Sequence, residues 1–271
     1  MCRVYGVTRA GYYAWRKRQP SLRSVENRIL VKEIEKIHVD SRGTYGSPRV
    51  TQMLRLSGLV IGKNRVARLM QQERIRGRAS ILYRSNPGQH AFYSGIPNRT
   101  LTEIAEKPNR VWVGDVTYLR VNTEWRYMAV VMDKCSRKII GWSMGRRRDV
   151  SLTLRALSRA VANRRPAAGL FFHSDRGIEY AAHAFQKKLN DLGIVQSMNR
   201  PSRMNDNGHM ESFFHSMKSD VVHGRRFTTD EELLGVVRSY IPFYNATRLH
   251  SSLNYVSPAT YEKQLGTPRC Q

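Results

Sequence analysis

Acidic side chains are scarce in this chain of 271 residues. It holds 21 Asp and Glu against 46 Lys and Arg, a net charge of +25. Cysteine is scarcer still: Cys2, Cys135 and Cys270 lie far apart. An odd count with no C-x-x-C pair excludes a disulfide framework and a zinc site, and suits a reducing cytoplasm. No apolar run approaches the roughly 18 residues of a membrane span, and no signal peptide is read at the start. A field this positive favours a polyanionic partner, and with the membrane set aside nucleic acid is expected. At 41% apolar residues, the chain still has enough to bury a sizeable core.

The basic charge is uneven. Residues 1–100 carry 20 basic and 5 acidic side chains, and the remaining 171 carry 26 and 16. The first third therefore looks specialised for phosphate contact, while the rest keeps acids for another purpose.

Local patterns divide the chain further. Thr8 is placed to cap a short helix through Tyr12, Tyr13 and Trp15, and Val25, Ile29, Leu30, Ile34 and Ile37 are spaced for one face of a second. Ser47-Pro48 reads as a cap and first turn, Ser57-Gly58 as a break. A basic helix from about 62 to 74 then turns Val66, Leu69 and Met70 inward and Lys63, Asn64, Arg65 and Arg68 outward. This is the helix-turn-helix pattern, whose second helix enters the major groove. Residues 1–76 are expected to form that helical DNA-binding region. Glycine and proline punctuate 77–108, which reads as a linker.

Beyond it the period changes. Apolar or β-branched runs at 111–119, 125–133 and 138–144 predict a three-stranded meander. A helix near 151–163, a strand at 170–175, a helix near 181–190, a short strand at 194–198 and a helix near 207–222 follow. The expectation is an α/β layer fold with a mixed sheet over 109–225, then a helical extension and tail over 226–271.

Three acids stand out in this region. Asp115 lies inside the first strand, where a carboxylate needs a partner. Asp175 ends an apolar strand, the place where sites form in open α/β sheets. Glu211 falls on the late helix. The gaps are 59 residues between Asp115 and Asp175 and 35 between Asp175 and Glu211.

W-V-G-D-V-T-Y-L, D-K-C-S-R-K-I-I-G-W, H-S-D-R-G-I-E-Y, N-D-N-G-H-M-E-S-F-F-H-S-M-K and F-Y-N-A-T-R-L-H-S-S-L-N-Y-V-S-P-A-T-Y occur in that order. The chain resembles, over nearly its whole length, the second-frame (OrfB) product of insertion-sequence transposases. That family has a retroviral-integrase-like core of the ribonuclease H-like fold. The resemblance implies that Asp115, Asp175 and Glu211 are a catalytic triad holding two Mg2+ ions, with Mn2+ as a substitute. Hard cations prefer oxygen ligands, and two of them activate the attacking oxygen and stabilise the departing one. It also implies that Lys218 contacts the terminal DNA; seven helical steps after Glu211 return it to nearly the same face. Arg248 and His250 in the tail motif are further DNA-contact candidates.

Other polar residues read as structural. Asp133 is expected to organise its turn, and Asn205 and Asn207 to lead the chain into the late helix. Glu179 and Asp206 flank the triad, and His173 and His209 lie near it without indicating ligation.

The implied activity is metal-dependent DNA cleavage and strand transfer at the inverted repeats of a mobile element. The alternatives are a nuclease of the same fold and a non-catalytic DNA-binding regulator. Expected partners are the element ends, target DNA, a first-frame (OrfA) protein joined or fused to this chain, and further copies of the chain on DNA. The expected location is the bacterial cytoplasm, on the nucleoid. The start at Met1-Cys2 falls inside what the family suggests is a continuing helical unit, so a longer fused form is expected. Three positions depart from the family pattern: Gly114 stands where Thr is more usual, and Ile178-Glu179 replaces Ser-Gln.

Overall fold

A computed structural model describes residues 2, 4, 6–78, 95–101, 103, 105–201 and 204–266, the side chains of 204 and 205 excepted. They belong to two units, Met1–Arg78 and Ala79–Gln271.

In the first unit, α1 (Arg9–Lys17) opens on Thr8, whose hydroxyl accepts the Gly11 N–H at 3.0 Å. Ser21 caps α2 (Leu22–Asp40) in the same way. Leu30, Ile34 and Ile37 of α2 are buried, but Val25 and Ile29 are exposed. The apolar face expected along α2 is thus used only in its later turns, because α1 buries none of its residues. Two short helices, α3 (Ser47–Leu56) and α4 (Lys63–Gln72), pack on α2 and on each other. Gly46, not Ser47, is the cap of α3, which moves Ser47-Pro48 one position into the helix. Val50, Leu54, Val66, Leu69 and Met70 fill the space between them. A turn braced by Arg55 Nε donating to the Ile61 carbonyl at 3.2 Å separates the two helices.

The second unit is built on one mixed sheet of order β3-β2-β1-β4-β5. Strands β1 (Val111–Val121), β2 (Glu124–Asp133) and β3 (Ile139–Gly145) form the expected antiparallel meander. Helix α5 (Val150–Arg164) leads to β4 (Phe171–Ser174), which lies parallel to β1. Helices α6 (Ile178–Ala181) and α7 (His183–Asp191) lead to β5 (Val195–Met198), parallel to β4. Then come α8 (Gly208–Met217), a π turn over Lys218–Val222, α9 (Asp230–Ala246) and α10 (Pro258–Gly266).

Strand alternation sorts the core into two layers. Val111, Val113, Met128, Val130 and Met132 face Phe213 and Met217 of α8 and Leu233, Val237 and Tyr240 of α9. Trp112, Ala129, Val131 and Ile140 face Leu152, Ala156 and Leu157 of α5 and Phe185 of α7. The second layer is tight at Gly141. A Cβ there would lie 2.3 Å from the Ala156 carbonyl oxygen, so only glycine lets α5 approach β3 this closely.

Of the span read as a linker, residues 79–94 lie outside the described residues. Residues 96–99 are hydrogen-bonded to β5 and to the turn after β4. Met198 donates its N–H to the Pro97 carbonyl, and the Arg99 N–H reaches Ser197 Oγ at 2.9 Å.

Asp133 organises its turn as expected. It is fully buried and accepts the N–H groups of Asn109, Cys135 and Ser136. Glu262 of α10 ties the tail to that turn through Ser136 and Lys138, and to the end of α5 through Arg164.

Candidate active site

The parallel pairing of β1 and β4 ends on Gly114 opposite Ser174, and the next residue on each strand is an aspartate. Register alone therefore sets Asp115 beside Asp175. Asp115 Oδ1 accepts the Val116 N–H at 2.7 Å, and Asp175 Oδ1 accepts the Gly177 N–H at 3.0 Å in the turn that opens α6. Burial raises the Asp115 carboxyl well above the usual range, and repulsion from Asp175 raises it further; the Val116 N–H and Arg148 act the other way. Two carboxylates are thus held together at a cost, an arrangement that a bound cation relieves.

Arg148 and Tyr180 complete the surroundings. Arg148 bonds Glu179 Oε1 at 2.8 Å. Burial opposes its charge, but the bond to Glu179 and the fields of Glu179, Asp175 and Asp115 outweigh that and keep it protonated. The Glu179 side chain is fully enclosed, and its Oε2 has no hydrogen-bond partner. Tyr180 is buried, and burial followed by the fields of Asp115, Asp175 and Glu179 holds its hydroxyl in the neutral form. No spacing rule marks Arg148, which sits in the basic run 146–148 just before α5. Its role follows only from the packing.

Gly114 has a steric cause. A Cβ there would lie 2.5 Å from Phe172 Cζ and 3.3 Å from the Tyr180 hydroxyl oxygen, so Phe172 occupies the space that any larger side chain would need. Gly114→Ala is therefore expected to lose about 1–3 kcal/mol of stability. Combining it with Phe172→Leu should recover part of that. Urea denaturation of the three chains checks this, and an unchanged Gly114→Ala midpoint would contradict it.

Glu211 comes from α8, whose start is bound to the same strand through Asn207 Nδ2 donating to the Gly114 carbonyl at 3.2 Å. Asn207 thus anchors the helix to β1 and makes no side-chain cap bond. The Asn205 side chain lies outside the described residues. Glu211 itself is exposed. Among the described residues, no group of three or more His, Cys, Asp or Glu is gathered closely enough to hold a metal ion. The structure brings Asp115 and Asp175 together and leaves Glu211 apart from them on its helix.

The donors that are assembled are carboxylate oxygens, and this chemistry fits a hard divalent cation such as Mg2+. Lys218, at the start of the π turn, lies within the field of Asp115. Burial disfavours its charge, the Asp115 field favours it, and its Nζ lies 4.5 Å from the centre of the Tyr118 ring.

The remaining candidates are placed as follows. Lys63, Asn64 and Arg68 are exposed on α4. Arg65 is half-buried and braces α4 to α2, donating to Asn27 Oδ1 and Glu26 Oε2. Arg248 and His250 are buried in the tail. The Arg248 guanidinium bonds Asp220 Oδ2 at 2.7 Å, and the His250 ring packs edge-on against Tyr244. Both are therefore committed to packing, in contrast to the open phosphate contacts expected of them. Asp206 is held by Arg200 and Asn98, which keep its carboxyl well below the usual range.

His173 is enclosed by Thr100, Ser197 and Asn199. Burial first lowers its imidazole from the ordinary 6.5 to about 4, and burial does the same for His209. Neither is charged near neutral pH. The unfolded chain takes up these protons near pH 6.5 and the folded chain only near 4. Their stabilising contribution is thus complete above 6.5 and is lost as pH falls through that window. The slope is at most about 1.4 kcal/mol per pH unit for each histidine. Urea midpoints should fall between pH 7 and pH 5, and less steeply for His173→Gln; an identical slope in that variant would contradict the assignment.

Two integrase core domain models match the chain over residues 105–204 and 211–265, and an HTH-like domain model matches 24–80. The chain is 36% identical over 266 residues to the insertion element IS600 uncharacterized 31 kDa protein of Shigella sonnei, covering 97% of this chain and 98% of that protein. It is 34% identical to the transposase InsF for insertion sequence IS3A of Escherichia coli, covering 97% and 93%. With the transposase for insertion sequence element IS904 of Lactococcus lactis it shares 33%, covering 91% and 98%. Among solved structures, a chain of the simian T-cell lymphotropic virus intasome superposes with a TM-score of 0.50 at 16% identity, covering 88% of this chain and 76% of that one. The fold is that of a ribonuclease H-like integrase core.

Proposed function

Because the chain belongs to the insertion-sequence transposases with an integrase core, we propose that it cuts DNA at the ends of its element and joins the resulting 3′-hydroxyl to target DNA. The observation that carries this reading is the register that sets Asp115, inside β1, beside Asp175, just past the end of β4, with Lys218 in the field of Asp115.

Asp115, Asp175 and Glu211 would hold two Mg2+ ions, for which Mn2+ is a substitute. Ions bound there supply activation of the attacking oxygen and stabilisation of the departing one. The chain's own residues do the rest. Asp115 and Asp175 are placed by neighbouring strands, and Glu211, exposed on α8, would join them when the ions bind. Lys218 offers a positive charge to the phosphate being transferred. Arg148 keeps Glu179 neutralised close to the acids.

The exposed Lys63, Asn64 and Arg68 on α4 read the terminal inverted repeats, as the second helix of a helix-turn-helix does. The surplus of positive charge holds the DNA backbone. Partners are the element ends, target DNA, a first-frame protein and further copies of this chain assembled on DNA, in the bacterial cytoplasm on the nucleoid. No helix among the described residues is long and apolar enough to cross a membrane.

The test supplies the full chain with a labelled duplex ending in its element's terminal sequence, supercoiled plasmid and Mg2+. Labelled end joined to plasmid is the expected product. Nicked plasmid with no joined end would replace this reading with that of a nuclease. Tight end binding with neither product would replace it with that of a regulator.

A further inference from the structure

Large aromatic side chains on a soluble surface mark contact sites when they cluster, and two of them do so on the β1–β2 hairpin. Tyr118 is 55% exposed and Trp125 is 47% exposed. They come together because Tyr118 pairs with Tyr127 and Arg120 with Trp125, which makes the two rings diagonal neighbours on one face. Their centres are 5.1 Å apart at 83°, edge to face. Each ring is flanked by a cation. Lys218 Nζ is 4.5 Å from the Tyr118 centre, and the Arg120 guanidinium is 5.7 Å from that of Trp125. Beyond Arg120, the exposed Arg225 and Arg226 line the adjoining hollow with Phe227. Glu124, the nearest acid on the hairpin, is already paired with Arg126 at 2.8 Å.

We propose that Tyr118 and Trp125 form a stacking platform for unpaired bases of the DNA strand that leaves the catalytic aspartates, with Lys218, Arg120, Arg225 and Arg226 following its phosphates. The inference rests on the strand-transfer reading above. Three features select this occupant. The platform begins three residues after Asp115 on the same strand, about 10 Å along it, and Lys218 belongs to both places. Its charges are positive apart from Glu124, which Arg126 offsets; this suits a polyanion and repels a second copy of a chain carrying +25. An exposed aromatic ring accepts the flat face of a base only when that base is unstacked, which selects a single strand over a paired duplex.

The experiment uses the full chain in EDTA, so that no chemistry occurs. Two forms of the terminal duplex are compared, one fully paired and one with a short unpaired stretch bearing 2-aminopurine beside the end. Binding of the unpaired form should quench the aminopurine. Tyr118→Ala/Trp125→Ala should abolish the quenching and weaken binding of this DNA by about ten- to a hundredfold. The affinity for paired duplex should stay as it was, and Tyr118→Phe/Trp125→Phe should restore both properties. Photocrosslinking of the unaltered chain to 5-iodouracil in the unpaired stretch gives a readout that needs no variant, and Tyr118 or Trp125 should carry the adduct.

Quenching that survives the alanine variant, equal losses for paired and unpaired DNA, or adducts only elsewhere would overturn the platform. So would loss of a dimer in the alanine variant with quenching intact, since the patch would then serve a second copy. Stacking without any end joining in Mg2+ would overturn the strand-transfer reading alone, and joining without stacking would overturn the platform alone.

Discussion

Asp115→Asn should yield a metal-free protein more stable than the wild type that joins no DNA ends. The carboxyl is raised by burial and by its neighbour Asp175, so its ionised form destabilises the fold. The sign follows from linkage. The folded state holds the Asp115 proton to higher pH than the unfolded chain does. The destabilising contribution is therefore absent below the usual carboxylate range and grows as pH rises through the raised pKa. Asparagine keeps the shape and removes the charge, so the gain should be present at pH 7 and vanish in acid. Each kcal/mol recovered raises the midpoint by about 2–4 °C for a chain of this size. Activity moves the other way. Losing several kcal/mol of transition-state stabilisation lowers the rate by about 10³-fold or more. Thermal scans with and without Mg2+ separate the two effects, since ligand binding should stabilise the wild type more than the variant. A destabilised Asp115→Asn chain, or one that still joins ends, would contradict the account of this site.

Asp220→Ala should cost about 3–5 kcal/mol of folding stability, the range for removing one member of a buried ion pair. Asp220 and Arg248 are both almost wholly buried, and Asp220 Oδ2 accepts from Arg248 Nε at 2.7 Å and from the Tyr240 hydroxyl at 2.9 Å. Without the carboxylate, a guanidinium and a hydroxyl are left in an apolar layer. Asp220 also belongs to the π turn that begins at Lys218, so the pair ties this lysine's segment to α9 and the tail. Strand transfer should therefore fall along with stability. Asp220→Leu combined with Arg248→Met removes both charges and should lose less stability than Asp220→Ala alone. Urea unfolding measures all three chains. A loss under about 1 kcal/mol in Asp220→Ala would show that the pair is not a structural anchor.

The layout of the second unit is legible in the pattern because its strands are apolar or β-branched runs separated by short turns. The meander and the mixed character of the sheet follow from such local rules, and so does the place of Asp175 at the end of β4. The resemblance proposes Glu211 as the third acid, but the conformation of Glu211 is a tertiary matter on which motif spacing is silent. Arg248 and His250 were misread for a related reason. A basic residue in a motif looks like a phosphate contact until its partner is known, and Asp220 lies 28 residues away on another element. Arg65 was misread likewise, since Asn27 and Glu26 reach it from α2. Tyr118 and Trp125 sat inside runs that suited a buried strand. Only the register of the hairpin and the packing around it show that their rings are exposed.

The most direct test of the central claim compares two element ends that differ by one atom, one closing with a 3′-hydroxyl and the other with a dideoxy nucleotide. Each is incubated with the full chain, target plasmid and Mg2+. Covalent end–plasmid product should form with the hydroxyl end, be absent with the dideoxy end and be absent with Asp115→Asn. Plasmid nicking at the same rate with either end, and no joined product, would show hydrolysis in place of strand transfer and contradict the account.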